Sequence, residues 1–284
     1  MKRIIPSSEI VSKMKCPICG AELGICQDGN ISFVCSGGRK HCYDLSSSGY
    51  LNMMSSGHTD SGDSKAAVRA RKLFLELGHY RPVAEALCDM IRGSVPEKSF
   101  VIDAGCGEGY YSVAIAESGF YVAGADISKH AAEAAAKRGA ARGLDNAFFT
   151  VGSVFALPFA DKSADCVVNI FAPCAEDEFN RVLKDGGRLF VVYAGIEHLM
   201  GLKSVIYEKT KENDGRADMP KNMRLIGEKR VRYDITVSGN ENILALFSMT
   251  PYYWRTSPAD RDKLCGIDTL TTEVDMVIAE YIKE

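Results

Sequence analysis

Residues 101–110, Val-Ile-Asp-Ala-Gly-Cys-Gly-Glu-Gly-Tyr, restrict the fold of this chain more than any other stretch. They read as a buried strand that breaks into a glycine loop and opens a helix. At Gly105, Gly107 and Gly109 a Cβ would collide with the turn or with a ligand, so glycine lets the backbone bend sharply and approach closely. This is the design of a nucleoside-cofactor site. A dinucleotide fold requires G-x-G-x-x-G, and counted from Gly105 the third glycine position is Tyr110, so that fingerprint fails. The pattern present is D-x-G-x-G-x-G.

The surrounding sequence alternates between strand and helix, the signature of a parallel sheet. Phe100–Ala104, Tyr121–Ala125, Phe148–Val151, Cys166–Phe171 and Leu189–Tyr193 read as strands, with a last one around Val274–Ile278. The Ala-rich stretch Lys129–Ala141 reads as a helix. Upstream, Ala66, Ala70, Leu73, Phe74 and Leu77 recur at helical spacing over Lys65–Leu77, with Asp63 or Ser64 as cap and Gly78 as stop. Pro82 suits the start of a second helix. Asp126 follows the second strand, 21 positions after Gly105, where an acidic side chain can hold ribose hydroxyls. The expected architecture is α/β: a Rossmann-like sheet with helices on both faces.

A different module precedes it. Cys16-Pro-Ile-Cys19 is followed after fifteen residues by Cys35 and after five more by His41. Two such pairs on tight turns can place four donors tetrahedrally around one zinc ion, which replaces the core a short segment cannot build. A redox C-x-x-C would sit in a βαβ unit, which this segment lacks. We take Cys16, Cys19, Cys35 and His41 as the ligand set, with Cys42 and Cys26 as competitors for the fourth place. The expected domains are a zinc-ribbon-like module over 1–54, a linker with N-terminal helices over 55–99, and the sheet domain over 100–284. The module is expected to unfold on its own when the metal is lost.

Apolar residues make up 46% of the chain and charged residues 25%, which suits a globular domain rather than a disordered one. No stretch is long and apolar enough for a secretion signal or a membrane span. The expected location is the cytoplasm, where ten cysteines read as metal ligands or small buried hydrophobes rather than disulfides. Residues 1–92 carry a net charge of +3 and residues 93–284 a net −6. The basic part includes Arg39, Lys40, Arg69, Arg71 and Lys72, which can face phosphate or simply form a solvated face.

The pattern Asp103-Ala-Gly-Cys-Gly-Glu-Gly resembles motif I of the class I S-adenosylmethionine-dependent methyltransferases. Over nearly the whole chain the ordered set is similar to the RlmA family of large-subunit ribosomal RNA guanine-N1 methyltransferases. That set comprises the Cys16, Cys19, Cys35, His41 module, Gly62-Asp-Ser64, Ala70-Arg-Lys-Leu-Phe-Leu75, Gly78-His-Tyr80, motif I through Tyr111, Leu157-Pro-Phe159, Ala172-Pro-Cys174, His198-Leu-Met200 and Met249-Thr-Pro251. The resemblance implies S-adenosylmethionine as cofactor, one structural zinc, a ribosomal RNA hairpin as partner and a homodimer. Carried over by motif, Tyr80, Gly107, Glu108 and His198 would contact the cofactor, and Ser153 would face its adenine. Asp103, Gly105, Gly109, Asp126 and Ile127 complete the expected cofactor site, with Asp103 accepting backbone N–H groups of the loop. The metal spacing departs from the family pattern, and Cys42 directly follows the histidine.

Methyl transfer from a sulfonium is an in-line displacement that depends mainly on alignment. The acceptor must also lose the proton that guanine N1 carries at neutral pH. Asn169 and Asp63 are the candidates for handling the base, with Phe171 placed to stack on it. Core packing accounts equally for Asn169, and helix capping for Asp63. Two other functions fit the same sequence: methylation of a small molecule or protein, and RNA binding without catalysis.

Overall fold

The computed structural model describes residues 4–27, 30–54, 62–213 and 220–284. In chain order the helices are α1 (Ser8–Val11), α2 (Lys65–Glu76), α3 (Arg81–Ser94), α4 (Tyr110–Glu117), α5 (Lys129–Ala141), α6 (Glu176–Val182), α7 (Met200–Ile206), α8 (Asn240–Ser248) and α9 (Pro258–Asp262). The strands are β1 (Leu23–Cys26), β2 (Ser32–Cys35), β3 (Cys42–Asp44), β4 (Tyr50–Asn52), β5 (Phe100–Ala104), β6 (Tyr121–Asp126), β7 (Ala147–Val151), β8 (Ala164–Ile170), β9 (Leu183–Ala194), β10 (Arg224–Ser238) and β11 (Thr269–Ile282). Of the linker and helices expected over residues 55–99, residues 55–61 lie outside the described residues.

Among the described residues the main sheet has the order β10-β11-β9-β8-β5-β6-β7-β4. The strands from β9 to β4 are mutually parallel, and β11 enters antiparallel between β9 and β10. The central strands are covered on both faces, so they read as unbroken apolar runs rather than as an alternation. Successive residues nevertheless serve opposite sides. Val101, Val122, Phe149, Val168 and Phe190 face the layer built from α2 to α5, α7 and α8. Ile102, Ala123, Phe148, Val167 and Leu189 face the other layer.

That second layer is where the structure departs from expectation. Beside α1 and α6, the small sheet β1-β2-β3 packs into it, with Phe33 stacked on Phe148 at 5.8 Å between ring centroids. Backbone bonds seal the junction: Lys15 N–H donates to Pro158 C=O at 2.9 Å, and Ala160 N–H to Lys13 C=O at 2.8 Å. The last piece of the 1–54 segment, β4, is an edge strand of the main sheet, paired parallel with β7. The metal module and the sheet therefore share one core instead of being separate bodies.

Other differences are local. Strand β11 runs well beyond the expected Val274–Ile278, and its partner β10 was not expected at all. Strand β8 stops at Ile170, because Phe171 turns into the left-handed region at φ 51°. Ser64, not Asp63, caps α2: its hydroxyl accepts Ala67 N–H at 3.2 Å.

Candidate cofactor cavity and metal centre

A cavity of about 700 Å³ opens at the carboxyl ends of β5, β6 and β8. Its floor is the glycine loop. Gly105 and Cys106 donate their N–H groups to Ala125 C=O at 2.8 and 3.2 Å, which folds the loop back over β6. The three glycines have positive φ, but for different surroundings. A Cβ on Gly105 would come within 2.5 Å of the Ala172 methyl, and one on Gly109 within 2.8 Å of the Ala135 methyl. A Cβ on Gly107 would meet only the Arg71 guanidinium, at 3.3 Å. Gly105 and Gly107 line the cavity, whereas Gly109 sits behind it and lets α4 approach α5.

Tyr80, Asp103, Glu108, Asp126, Ile127, Ser153 and His198, drawn from five separate segments of the sequence, also line the cavity. Asp126 accepts Gly107 N–H on one oxygen at 2.9 Å and Ser128 N–H on the other at 2.8 Å, so it ties the loop to the start of α5. Each oxygen keeps a lone pair for a further donor. Asp103 does not accept from the loop as expected. One oxygen accepts the Ser112 hydroxyl at 2.5 Å, and the other is buried with no partner. Burial, with Asp126 and Glu108 adding to it, pushes the Asp103 carboxyl up to about 7. Burial likewise raises Glu108 and Asp126. Three carboxyl groups gathered in a desolvated pocket favour a positively charged occupant.

His198 is 6% exposed. Its Nδ1 accepts Asp275 N–H at 3.2 Å and its Nε2 lies 3.5 Å from the Tyr80 hydroxyl. Burial, aided by Lys203, brings the ring down to about 4, so it is neutral. Asp275 is in turn held by Arg230 through two hydrogen bonds of 2.6 and 2.8 Å.

The two residues expected to handle the base are not arranged alike. Asn169 does not line the cavity. Its amide donates to Ala104 C=O at 3.3 Å and Pro173 C=O at 3.1 Å, holding the ends of β5 and β8 together. Asp63 does line the cavity, but its carboxylate is paired with Arg71. Arg71 itself, read in the sequence as a phosphate contact or part of a solvated face, reaches into the cavity instead. Phe171 is 53% exposed and stacks on His198 at 6.2 Å, in a mouth that also includes Phe155 and Trp254, 63% and 74% exposed. Phe155, Trp254 and Asn213 escaped the sequence reading because nothing local distinguishes them. Met249-Thr-Pro251, adjacent to Trp254, was the signal that could have led there.

The residues fit S-adenosylmethionine on three observations of this structure. A Cβ at position 107 would stand on the cavity floor against Arg71, an Asp103 oxygen is buried without a partner, and the surrounding carboxyl groups suit a sulfonium cation.

In the N-terminal module the Sγ atoms of Cys16, Cys19 and Cys35 and a ring nitrogen of His41 all lie within 4.8 Å of one another. Cys19 Sγ is 3.7 Å from Cys35 Sγ, and His41 Nδ1 is 3.5 Å from both Cys16 and Cys35. The knuckle closes through Gly20 N–H donating to Cys16 C=O at 2.8 Å. Cys42 points to Asp44, at 3.9 Å, and neither it nor Cys26 joins the cluster. Burial raises the Cys16 thiol, but the Tyr43 hydroxyl at 3.0 Å and the backbone of Cys19 and Ile18 outweigh it and bring it down to about 6. Three soft donors and one borderline donor in this arrangement could hold a structural zinc.

Three relatives match almost end to end. A Streptomyces fradiae protein named 23S rRNA (guanine(748)-N(1))-methyltransferase is 27% identical, covering 95% of this chain and 97% of its own. Proteins of Micromonospora griseorubida and Bacillus subtilis, each provisionally named a 23S rRNA (guanine-N(1)-)-methyltransferase, are 29% and 28% identical. Those matches cover 88% and 94% of this chain, and 90% and 96% of the relatives. Among the described residues no helix is long and apolar enough to cross a membrane. Residues 97–238, half of the chain and the segment that carries the glycine floor, Asp126 and His198, match the family model described as a methyltransferase domain, and the chain belongs to that family.

Proposed function

We propose that this protein methylates N1 of a guanine in a hairpin loop of large-subunit ribosomal RNA, in the cytoplasm and as a homodimer. The observation that carries this reading is the match, along nearly all of the chain, to three relatives whose names specify that reaction. It extends over the metal module as well as the sheet, which a small-molecule methyltransferase would not require.

When bound, S-adenosylmethionine supplies an activated methyl group. Gly107 leaves room for it, the Asp126 carboxylate can accept ribose hydroxyls, and Ser153 and Ile127 would border the adenine side. Asp103 and Glu108 face the cationic end. His198 and Tyr80 form one wall of the cavity and would pack against the bound cofactor. The module held by Cys16, Cys19, Cys35 and His41 helps to grip the RNA. A base in a loop, or flipped from its stack, exposes the edge that must be reached. Phe171, Phe155 and Trp254 form an open apolar mouth on which a base can stack.

The test is methyl transfer from labelled cofactor to purified ribosomal RNA, followed by mass spectrometry of the nucleosides. We expect 1-methylguanosine at one position. Transfer that proceeds without RNA, or RNA binding with no cofactor uptake, would overturn the reading.

A further inference from the structure

The cavity is acidic, yet it contains one permanent cation among its described lining residues, Arg71. This side chain comes from α2, outside the segment that matches the family model. Its guanidinium pairs with Asp63 on one side and lies 3.9 Å from the Glu108 carboxylate on the other. It also lies over the glycine floor, 3.3 Å from where a Gly107 Cβ would stand. A surface arginine facing phosphate would be solvated. Here the side chain is only 24% exposed.

Two other lining groups are buried without partners, Asp103 Oδ1 and the Tyr111 hydroxyl. Unpaired buried polar atoms are rare, and those that line a cavity point to a polar occupant. Positive charge on Arg71 beside the Glu108 carboxylate, with the Asp103 carboxyl lining the same cavity, is the complement of a zwitterion. The α-amino acid end of S-adenosylmethionine is one, with ammonium and carboxylate on the same carbon.

Resting on the reading of this cavity as the cofactor site, we propose that Arg71 anchors the α-carboxylate of S-adenosylmethionine, leaving Glu108 and Asp103 to the ammonium. A guanidinium offers a planar fork matched to a carboxylate, and such charge-assisted pairs are the strong ones. Arg71 is then a positioning residue. It would fix one end of the cofactor and so limit the orientations the rest can take.

The experiment is calorimetric titration of the full-length protein with S-adenosylmethionine and with its decarboxylated analogue, which keeps the sulfonium, ammonium and adenosine. We expect the wild type to prefer the intact cofactor by on the order of 10- to 100-fold. Arg71→Ala should abolish the preference by weakening the intact cofactor while leaving the analogue unchanged. Arg71→Lys should keep part of it. Equal weakening of both compounds in Arg71→Ala would assign the residue a purely structural role and overturn the proposal. Equal binding of both by the wild type, which needs no variant to fold, would overturn it too. A wild type that takes up neither compound would overturn the cofactor reading as a whole.

Discussion

His198 accepts the backbone N–H of Asp275 on Nδ1, and this one bond decides which way the imidazole faces chemically. A neutral ring that accepts on Nδ1 carries its proton on Nε2, the atom turned toward Tyr80 and the cavity. His198 is therefore a hydrogen-bond donor at the site, not a base that removes a proton. We expect His198→Ala to weaken cofactor binding by about tenfold, and His198→Gln, which keeps an N–H at similar reach, to retain most of it. Rate profiles of wild type and His198→Gln should have the same shape between about pH 5.5 and 8. A limb present only in the wild type would contradict this. For stability, the ring's folded value of about 4 is below the ordinary 6.5, so its contribution is complete above pH 6.5 and is lost as pH falls toward 4.

Asp103 titrates in the opposite sense. Its folded value of about 7 is raised above the ordinary 3.8, so its contribution to stability is complete below pH 3.8 and is lost as pH rises through about 7. Compared with Asp103→Asn, the wild type should lose stability from pH 5 to about 7, at a slope of at most about 1.4 kcal/mol per pH unit, and level off above that. A cation bound beside Asp103 would reverse the preference for the protonated form. Cofactor affinity should thus rise over the same interval in the wild type and stay level in the variant. Parallel curves for the two proteins would refute the coupling.

The glycine floor makes a graded prediction. Gly105→Ala must displace Ala172, whose methyl lies 2.5 Å from the new Cβ, and should cost about 3 kcal/mol or more together with cofactor binding. Gly107→Ala meets only a flexible guanidinium at 3.3 Å and should cost about 1–2 kcal/mol, the strain of its positive φ. Denaturant unfolding of the two variants orders them, and equal costs would argue against this account of the loop.

Replacing Cys16 and Cys19 by Ser should remove bound zinc, measured by metal analysis, and lower the melting of the whole chain in one transition. Phe33 on Phe148 and the Lys15–Pro158 bond make the module part of the main core. Even about 3 kcal/mol lost would lower Tm by about 6–12 °C for a chain of this size. A separate low-temperature transition, with the sheet unaffected, would restore the picture of two independent bodies.

Trp254 is the one tryptophan of the sequence and is 74% exposed at the mouth of the cavity. Its fluorescence should change when a hairpin from large-subunit rRNA binds, and Trp254→Ala should weaken RNA binding by about 1–3 kcal/mol. Cofactor affinity should be unaffected. An RNA titration that leaves the emission unchanged would place the RNA elsewhere.

The parts of this molecule that could be read from sequence are those whose cause is local. A glycine triplet after an apolar run requires a turn, and Asp126 at the end of the next strand lies beside it in any parallel arrangement. Knuckle spacing similarly identified Cys16, Cys19, Cys35 and His41. Strand β10 escaped because it is an edge strand with both flanks largely exposed, so charged residues such as Lys229 and Arg232 mask any alternation. Asn169 looked catalytic because strand ends often are, yet its amide is committed to two carbonyls. Arg71 and Trp254 were hidden for a different reason: the cavity wall is assembled from segments nearly two hundred residues apart, and no window of sequence contains both.

The backbone seam between residues 13–15 and 158–160 has a mechanical meaning. Phe155, at the lip of the cavity, is a few residues from that seam, and the cysteine knuckle begins immediately on its other side. The span between the module and the cavity lip is thus built in, like the fixed opening of a caliper. If the module grips RNA as proposed, it cannot swing to suit a longer or shorter stem, and the spacing between stem and loop becomes a property the protein can discriminate.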